Sequence, residues 1–136
     1  MDQFVKHELK ARYYFRYADD FIFIHEDRRF LELLLQKLKN FLKNELSLEL
    51  HPNKVLIKKF SEGIDFLGYI ILPHHVILRT RTKKRMFKKI KQNLEKLKKG
   101  LINKKSFDQS LQSYYGMLKH CCSYKTKNNI KRVFSL

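Results

Sequence analysis

The chain has 136 residues, with 30 Lys and Arg against 13 Asp and Glu, a formal net charge of +17. Its 43% hydrophobic and 13% aromatic content can build a core, which excludes an unfolded basic tail and, at this length, allows one ordinary domain or one with a small appendage. A surplus of this size repels itself unless an anion neutralises it, so nucleic acid is the leading partner and an acidic membrane surface the next.

The surplus is unevenly placed. Up to Leu78, twelve Lys/Arg face eleven Asp/Glu; from Arg79 onward eighteen face two, Glu95 and Asp108. No apolar run approaches the roughly eighteen residues of a membrane span, and Met1-Asp2-Gln3 does not open a signal peptide, so the sequence predicts a cytoplasmic protein with no membrane partner. Cys121 and Cys122 are neighbours, a spacing unsuited to an ordinary disulfide or a metal clamp, and they read as thiols in or near a core. The six histidines stand at no useful spacing from an acid or thiol, and no zinc site is expected.

In chain order, the aromatic run Tyr13-Tyr14-Phe15-Arg16-Tyr17, the polar Ala18-Asp19-Asp20 and the apolar Phe21-Ile22-Phe23-Ile24 predict a hairpin with two carboxylates at its tip. The second arm lacks alternation, which predicts a strand covered on both faces. Glu26-Asp27 can cap a helix from Arg28 to about Glu45, because Leu31, Leu34, Leu35, Leu38, Phe41 and Leu42 recur at three- and four-residue steps. Leu46-Ser47-Leu48-Glu49-Leu50 alternates as a half-buried strand would, and His51-Pro52-Asn53 supplies a turn before Val55-Leu56-Ile57.

Ser61-Glu62-Gly63 turns the chain into a strand over 64–72, and Pro73-His74-His75 turns it back into Val76-Ile77-Leu78, a second hairpin. Gly68 within that strand suggests a bulge or a close approach by other backbone. Beyond Thr82 a helix period takes over: Met86, Phe87, Ile90, Leu94, Leu97 and Leu101 form a stripe among lysines, and Gly100 is a plausible stop. Ser106 can cap a further helix carrying Phe107, Leu111, Tyr114, Tyr115, Leu118 and Cys121, with a last short helix from about Asn128 to Phe134.

Two adjacent carboxylates at the tip of an apolar hairpin repel each other, an arrangement that usually means a hard divalent cation. Mg²⁺ takes one or two carboxylates and leaves its other positions to water and substrate phosphates, so a basic protein with such a site suggests phosphoryl transfer on nucleic acid. Asp19 and Asp20 fit as the ligands.

Arg16-Tyr17-Ala18-Asp19-Asp20-Phe21 resembles the YxDD box of reverse transcriptases, particularly the bacterial branch with group II intron, diversity-generating and retron-type enzymes. Two further segments follow in the matching order. Residues 46–54, ending His51-Pro52-Asn53-Lys54, are similar to the next palm motif, and Phe66-Leu67-Gly68-Tyr69 is similar to the turn that grips the primer end. Met1-Asp2-Gln3-Phe4-Val5-Lys6 resembles the stretch leading into the box, and residues 113–120 are similar to a thumb helix.

The resemblance implies an α+β fold: the C-terminal part of a polymerase palm over 1–79, with β-hairpins and a long packing helix, then a basic helical thumb over 80–136. It implies Asp19 as principal metal ligand and Asp20 as its companion, for Mg²⁺ or alternatively Mn²⁺. Tyr17 and Ala18 would lie near the nucleotide and primer end, Lys54 near the leaving pyrophosphate, and Phe66, Leu67, Gly68 and Tyr69 would hold the primer terminus. Lys83, Lys84, Arg85, Lys88 and Lys91 would contact the backbone of an RNA template–DNA primer duplex.

Such an enzyme also needs fingers and another palm Asp before its YxDD box, yet seventeen residues separate Met1 from Asp19, and Asp2, Asp27, Asp65 and Asp108 lie in no setting to replace that carboxylate. The expectation is therefore a C-terminal portion, inactive alone, with a second chain supplying fingers and N-terminal palm as a candidate partner. The alternative is a non-catalytic nucleic-acid-binding remnant.

Overall fold

The computed structural model describes residues 1–134. The chain forms two compact units, Met1–Lys58 and a second beginning at Lys59. Both mix helix with a small antiparallel sheet, an α+β arrangement.

In the first unit a short helix α1 (Asp2–His7) precedes strands β1 (Tyr13–Tyr17) and β2 (Asp20–Ile24), which pair with Tyr13 opposite Ile24 and Tyr17 opposite Asp20. Helix α2 (Arg28–Leu46) follows. Its start is fixed by Asp27, whose Oδ1 accepts a hydrogen bond from the Arg29 N–H at 2.8 Å, so one of the two predicted caps is used. Its apolar stripe buries Leu34, Leu38 and Leu42. Val5, Leu9 and Leu34 make a small core with Phe4, Tyr14, Phe23 and Phe30 packed on it. The cross-strand pair Tyr14 and Phe23 stacks at 4.9 Å, and Phe4 stacks on Phe41 of α2 at 3.9 Å.

Two expectations fail here. The second arm of the hairpin is not covered on both faces: β2 belongs to a two-stranded ribbon, with Phe21, Ile22 and Phe23 only half-buried. On the ribbon's open face Tyr13, Phe15 and Tyr17 remain 48%, 53% and 63% exposed. Residues 46–50 form no strand: α2 runs through Leu46, Ser47 caps it in the left-handed region at φ +51°, and Leu46 and Leu48 stay exposed. Alternation predicts a strand only where another strand supplies the ladder, and the helical stripe ending at Leu42 carries the chain past it. Val55-Leu56-Ile57 is likewise irregular.

The second unit opens with a 3₁₀ turn, Phe60–Glu62, and a three-stranded meander, β3 (Ile64–Phe66), β4 (Tyr69–Ile71) and β5 (Val76–Leu78). The single strand expected over 64–72 is thus two, broken by a tight turn at Leu67-Gly68, with φ +51° and +86°. A turn with both central residues at positive φ matches the right-handed twist of the strands it joins, which explains why glycine stands there.

Helices α3 (Thr80–Lys98), α4 (Lys104–Leu118) and α5 (Tyr124–Phe134) complete the unit. Its core is Leu78, Met86, Ile90, Phe107, Leu111, Leu118 and Ile130. The stripe expected on α3 is largely observed, except that Leu101 lies beyond the helix and is 69% exposed while its neighbour Ile102 packs. Asn103, not Ser106, caps α4, its Oδ1 accepting from the Ser106 N–H at 2.8 Å. Cys121 falls after α4, half-buried, its thiol pushed up by burial; Cys122 is exposed, and its N–H donates to the Val76 carbonyl at 2.7 Å. The last helix begins four residues earlier than expected, with Ser123 Oγ donating to the Leu118 carbonyl beneath it.

The charge boundary at Arg79 therefore falls inside the second unit, because Leu78 belongs to the helical core and the Tyr69 hydroxyl donates to the Met117 carbonyl at 3.0 Å. Among the described residues no helix is long and apolar enough to cross a membrane.

Ile90 is 1% exposed, so Ile90→Ala is expected to lower unfolding stability by about 3 kcal/mol, whereas Leu101→Ala is expected to change it by less than about 0.5 kcal/mol. Urea unfolding followed by circular dichroism measures both.

Candidate functional site

The two carboxylates sit where β1 turns into β2. The connection is two residues long, Ala18 and Asp19, and Asp20 begins β2 opposite Tyr17. Ala18 occupies the left-handed region at φ +50°. The Arg16 Nε donates to the Ala18 carbonyl at 2.9 Å, and its Nη1 reaches Asp2 Oδ1 at 3.1 Å; the Tyr14 hydroxyl donates to that same oxygen at 2.9 Å. Tyr17, Ala18, Asp19 and Asp20 are all exposed.

Among the described residues no group of three or more His, Cys, Asp or Glu could hold a metal ion. What the hairpin offers is a pair of neighbouring, solvent-facing carboxylates. That pair matches the donors Mg²⁺ takes from a protein when waters and substrate phosphates complete its octahedron, and it supplies no more than that.

Lys54 is exposed at the end of a 3₁₀ turn, Pro52–Lys54, whose start is held by the His51 ring nitrogen accepting from the Asn53 N–H at 3.3 Å. It belongs to the first unit with Tyr17, Ala18, Asp19 and Asp20; Phe66, Leu67, Gly68 and Tyr69 belong to the second.

There the Leu67-Gly68 turn lies against the start of α3. The Arg79 N–H donates to the Gly68 carbonyl at 3.0 Å, and the Arg79 guanidinium donates to Asp65 on β3. A Cβ on Gly68 would come within 3.3 Å of Thr82 Oγ1, so the neighbour at this glycine is a helix side chain, where a bulge or other backbone was expected. Thr82, Arg85, Met86, Lys89, Tyr114 and Met117 line a groove of about 280 Å³ between α3 and α4.

On α3, Lys84, Lys88 and Lys91 stand at steps of four and three, so they share one solvent face, with Arg85 and Lys89 beside them. Glu95 and Lys98 continue that face, which spans ~21 Å at 1.5 Å per residue. Met86 and Ile90 occupy the opposite, buried side, and Lys83 is half-buried, apart from the other four candidates.

The ionisation of the first unit follows its contacts. Hydrogen bonds from Tyr14, then Arg16, hold the Asp2 carboxyl below the usual range. Burial, with the Asp2 bond second, pushes the Tyr14 phenol up to about 12.

Residues 1–71, which include the carboxylate hairpin, Lys54 and the Leu67-Gly68 turn, match the family model described as reverse transcriptase (RNA-dependent DNA polymerase). The chain belongs to the reverse transcriptase family. Among similar curated proteins, the putative COX1/OXI3 intron 2 protein of Saccharomyces cerevisiae is 39% identical over 44% of this chain and 7% of its own length. The group II intron-encoded protein LtrA of Lactococcus lactis is 40% identical over 46% of this chain and 10% of its own. This reverse transcriptase chain thus spans a tenth or less of those relatives.

Sequence reading of the reverse transcriptase segment missed Arg16 and Asp2 as a support of the carboxylate turn, and Arg79 and Asp65 as a support of the other. Each pair is fourteen residues apart, so no local pattern joins them. A polar residue inside an apolar strand arm was the available signal.

The shifts give a signed pH dependence. The Tyr14 phenol is raised, so its stabilisation is present below its ordinary pKa of 10 and is lost as pH rises toward 12; Asp2 is lowered, so its share is present above the ordinary carboxylate value of 3.8 and is lost on acidification. In a phenolate absorbance titration, Tyr14→Phe is expected to remove a group ionising near 12, and Asp2→Asn to move that group only part of the way back to 10, because burial is the larger cause.

Proposed function

We propose that this chain contributes the metal-binding carboxylates, the primer-end turn and a duplex-binding face to an RNA-directed DNA polymerase, with residues 1–79 as the rear of its palm and 80–136 as its thumb. The observation that carries the reading is the two-residue turn presenting Asp19 and Asp20 within the family-matched span.

Asp19, in the turn itself, is the principal ligand for Mg²⁺ or Mn²⁺, with Asp20 its companion. Held by these two carboxylates, a divalent metal would supply Lewis-acid activation of the primer 3′-hydroxyl and charge neutralisation at the triphosphate. The protein's own part is positional. Tyr17, exposed on the open face of the ribbon, lies beside the nucleotide and primer end, and Ala18 leaves room for them. Phe66, Leu67, Gly68 and Tyr69 hold the primer terminus, on a turn whose Gly68 carbonyl is held by the Arg79 N–H, where a displacement near 1 Å costs much of the rate. Lys54 meets the pyrophosphate.

Lys84, Arg85, Lys88 and Lys91 neutralise template–primer phosphates, with Lys89 added by its place in the groove beside Arg85 and Lys83 left apart from that face. Two carboxylates do not make a two-metal site, so the earlier palm Asp and the fingers come from outside these residues, either from the rest of a longer protein or from a second chain. The half-covered β1–β2 ribbon, with its edges unpaired, is consistent with strands added there.

The second reading, a nucleic-acid-binding chain without catalysis, is favoured by the absence of a third metal-binding side chain among the described residues. Primer extension separates the two. With the fingers and first palm Asp supplied, the polymerase reading expects activity in Mg²⁺ that Asp19→Asn lowers by about a hundred- to a thousandfold. No extension by the complemented wild type, with duplex binding intact in Asp19→Asn, favours the second reading.

Both readings expect salt-sensitive duplex binding. Replacing Lys84, Lys88 and Lys91 with Ala is expected to weaken it and to reduce the slope of log K against log salt by roughly 3, at about 0.9 per phosphate contact. Fluorescence anisotropy over a salt series measures the slope, and an unchanged slope excludes this face.

A further inference from the structure

Of the two hairpin positions between β1 and β2, the first is filled by alanine at φ +50°, a conformation such turns normally reserve for Gly, Asn or Asp. Nothing in the alanine side chain favours it. The stabilising contact comes from Arg16, two residues earlier, whose Nε donates to the Ala18 carbonyl at 2.9 Å. The same guanidinium is tethered through Nη1 to Asp2 at 3.1 Å, and Asp2 is held in turn by the Tyr14 hydroxyl at 2.9 Å. Asp2 is the first residue of α1, a helix anchored by Val5 at 0% exposure. A continuous path of contacts thus runs from the buried core through α1 and Arg16 to the carbonyl that immediately precedes Asp19.

We propose that Arg16 is a positioning residue: held by Asp2, it fixes the Ala18 carbonyl and so the direction in which Asp19 and Asp20 leave the hairpin. The ion pair itself is half-exposed, with side chains 39% and 56% accessible, and an exposed pair of this kind adds little to global stability. Its consequence is local. Asp2, far from the turn in sequence, acts on the carboxylates only through Arg16, and Arg16 uses two separate N–H groups, which a lysine cannot reproduce with the same fork. The functional consequence rests on the reading of Asp19 and Asp20 as metal ligands, for which groups that orient ligands typically matter by ten- to a hundredfold in affinity.

The test uses the whole chain, with Mn²⁺ as the probe, in the wild type, Arg16→Lys, Asp2→Asn, Tyr14→Phe and Asp19→Asn. Mn²⁺ binding is followed by electron paramagnetic resonance, and backbone ¹⁵N relaxation reports the order of residues 17–20 without metal. Wild type is expected to bind Mn²⁺ and Asp19→Asn to lose it. Arg16→Lys and Asp2→Asn are expected to bind about tenfold more weakly, with the order parameters of Ala18 and Asp19 falling from ~0.85 to below about 0.6 while the melting temperature stays within a few degrees. Tyr14→Phe, which leaves the Arg16 contacts in place, is expected to retain the ordered turn.

Ordered turns in both Arg16→Lys and Asp2→Asn would overturn the proposal, as would wild-type Mn²⁺ affinity in both. If the wild type binds no Mn²⁺ and Asp19→Asn changes nothing, the metal reading fails, and the relaxation data alone decide whether Arg16 fixes the turn.

Discussion

A residue other than glycine at positive φ costs of order 1 kcal/mol, and this chain places one at the start of each of its two-residue hairpin turns, Ala18 at +50° and Leu67 at +51°. Each turn is held by an arginine that is itself held by an aspartate. Arg16 donates its side chain to the Ala18 carbonyl and pairs with Asp2; Arg79 donates its backbone N–H to the Gly68 carbonyl and pairs its guanidinium with Asp65. The two turns carry the metal-binding and primer-end roles proposed for the chain. Fixing a carbonyl in such a turn restricts every atom that follows it, and a site that must hold reacting groups to within a fraction of an ångström depends on that restriction.

The two units differ in how much of their surface is satisfied. The second closes its core from both sides, with Leu78 of the meander and Ile130 of the last helix meeting the Met86–Ile90 stripe of α3, and turns a basic face of α3 outward. The first closes only one side of its ribbon: Tyr14 and Phe23 are packed, and Tyr13, Phe15 and Tyr17 are not. A strand with apolar residues on both faces is designed for the middle of a sheet.

The helices were the most legible part of the sequence, because a 3.6-residue period sustained over nineteen residues in α2 and α3 leaves little choice of element or face. Short apolar runs were least legible. Leu46 to Leu50 alternates as well as many strands do, but a strand exists only with a partner, and none pairs with it. Residues 64–72 read as one strand by composition, and only the backbone angles at Leu67 and Gly68 divide it. In the candidate site, Asp19 and Asp20 stand out as adjacent like charges at a hairpin tip, and so do the lysines of α3. Arg16 did not stand out, since its partner lies fourteen residues back and on another element.

The sequence alone determined the amphipathic helices, the carboxylate pair between two apolar arms, the concentration of positive charge after Leu78 and, through its motifs, the reverse transcriptase family. These are properties of composition and of spacing along the chain, which folding does not change. Tertiary structure decided which lysines share a face, that the meander packs with the three helices that follow it, and which arginine holds which turn. Those depend on pairs of residues brought together across a dozen or more positions, and a contact of that kind exists only once the chain has folded.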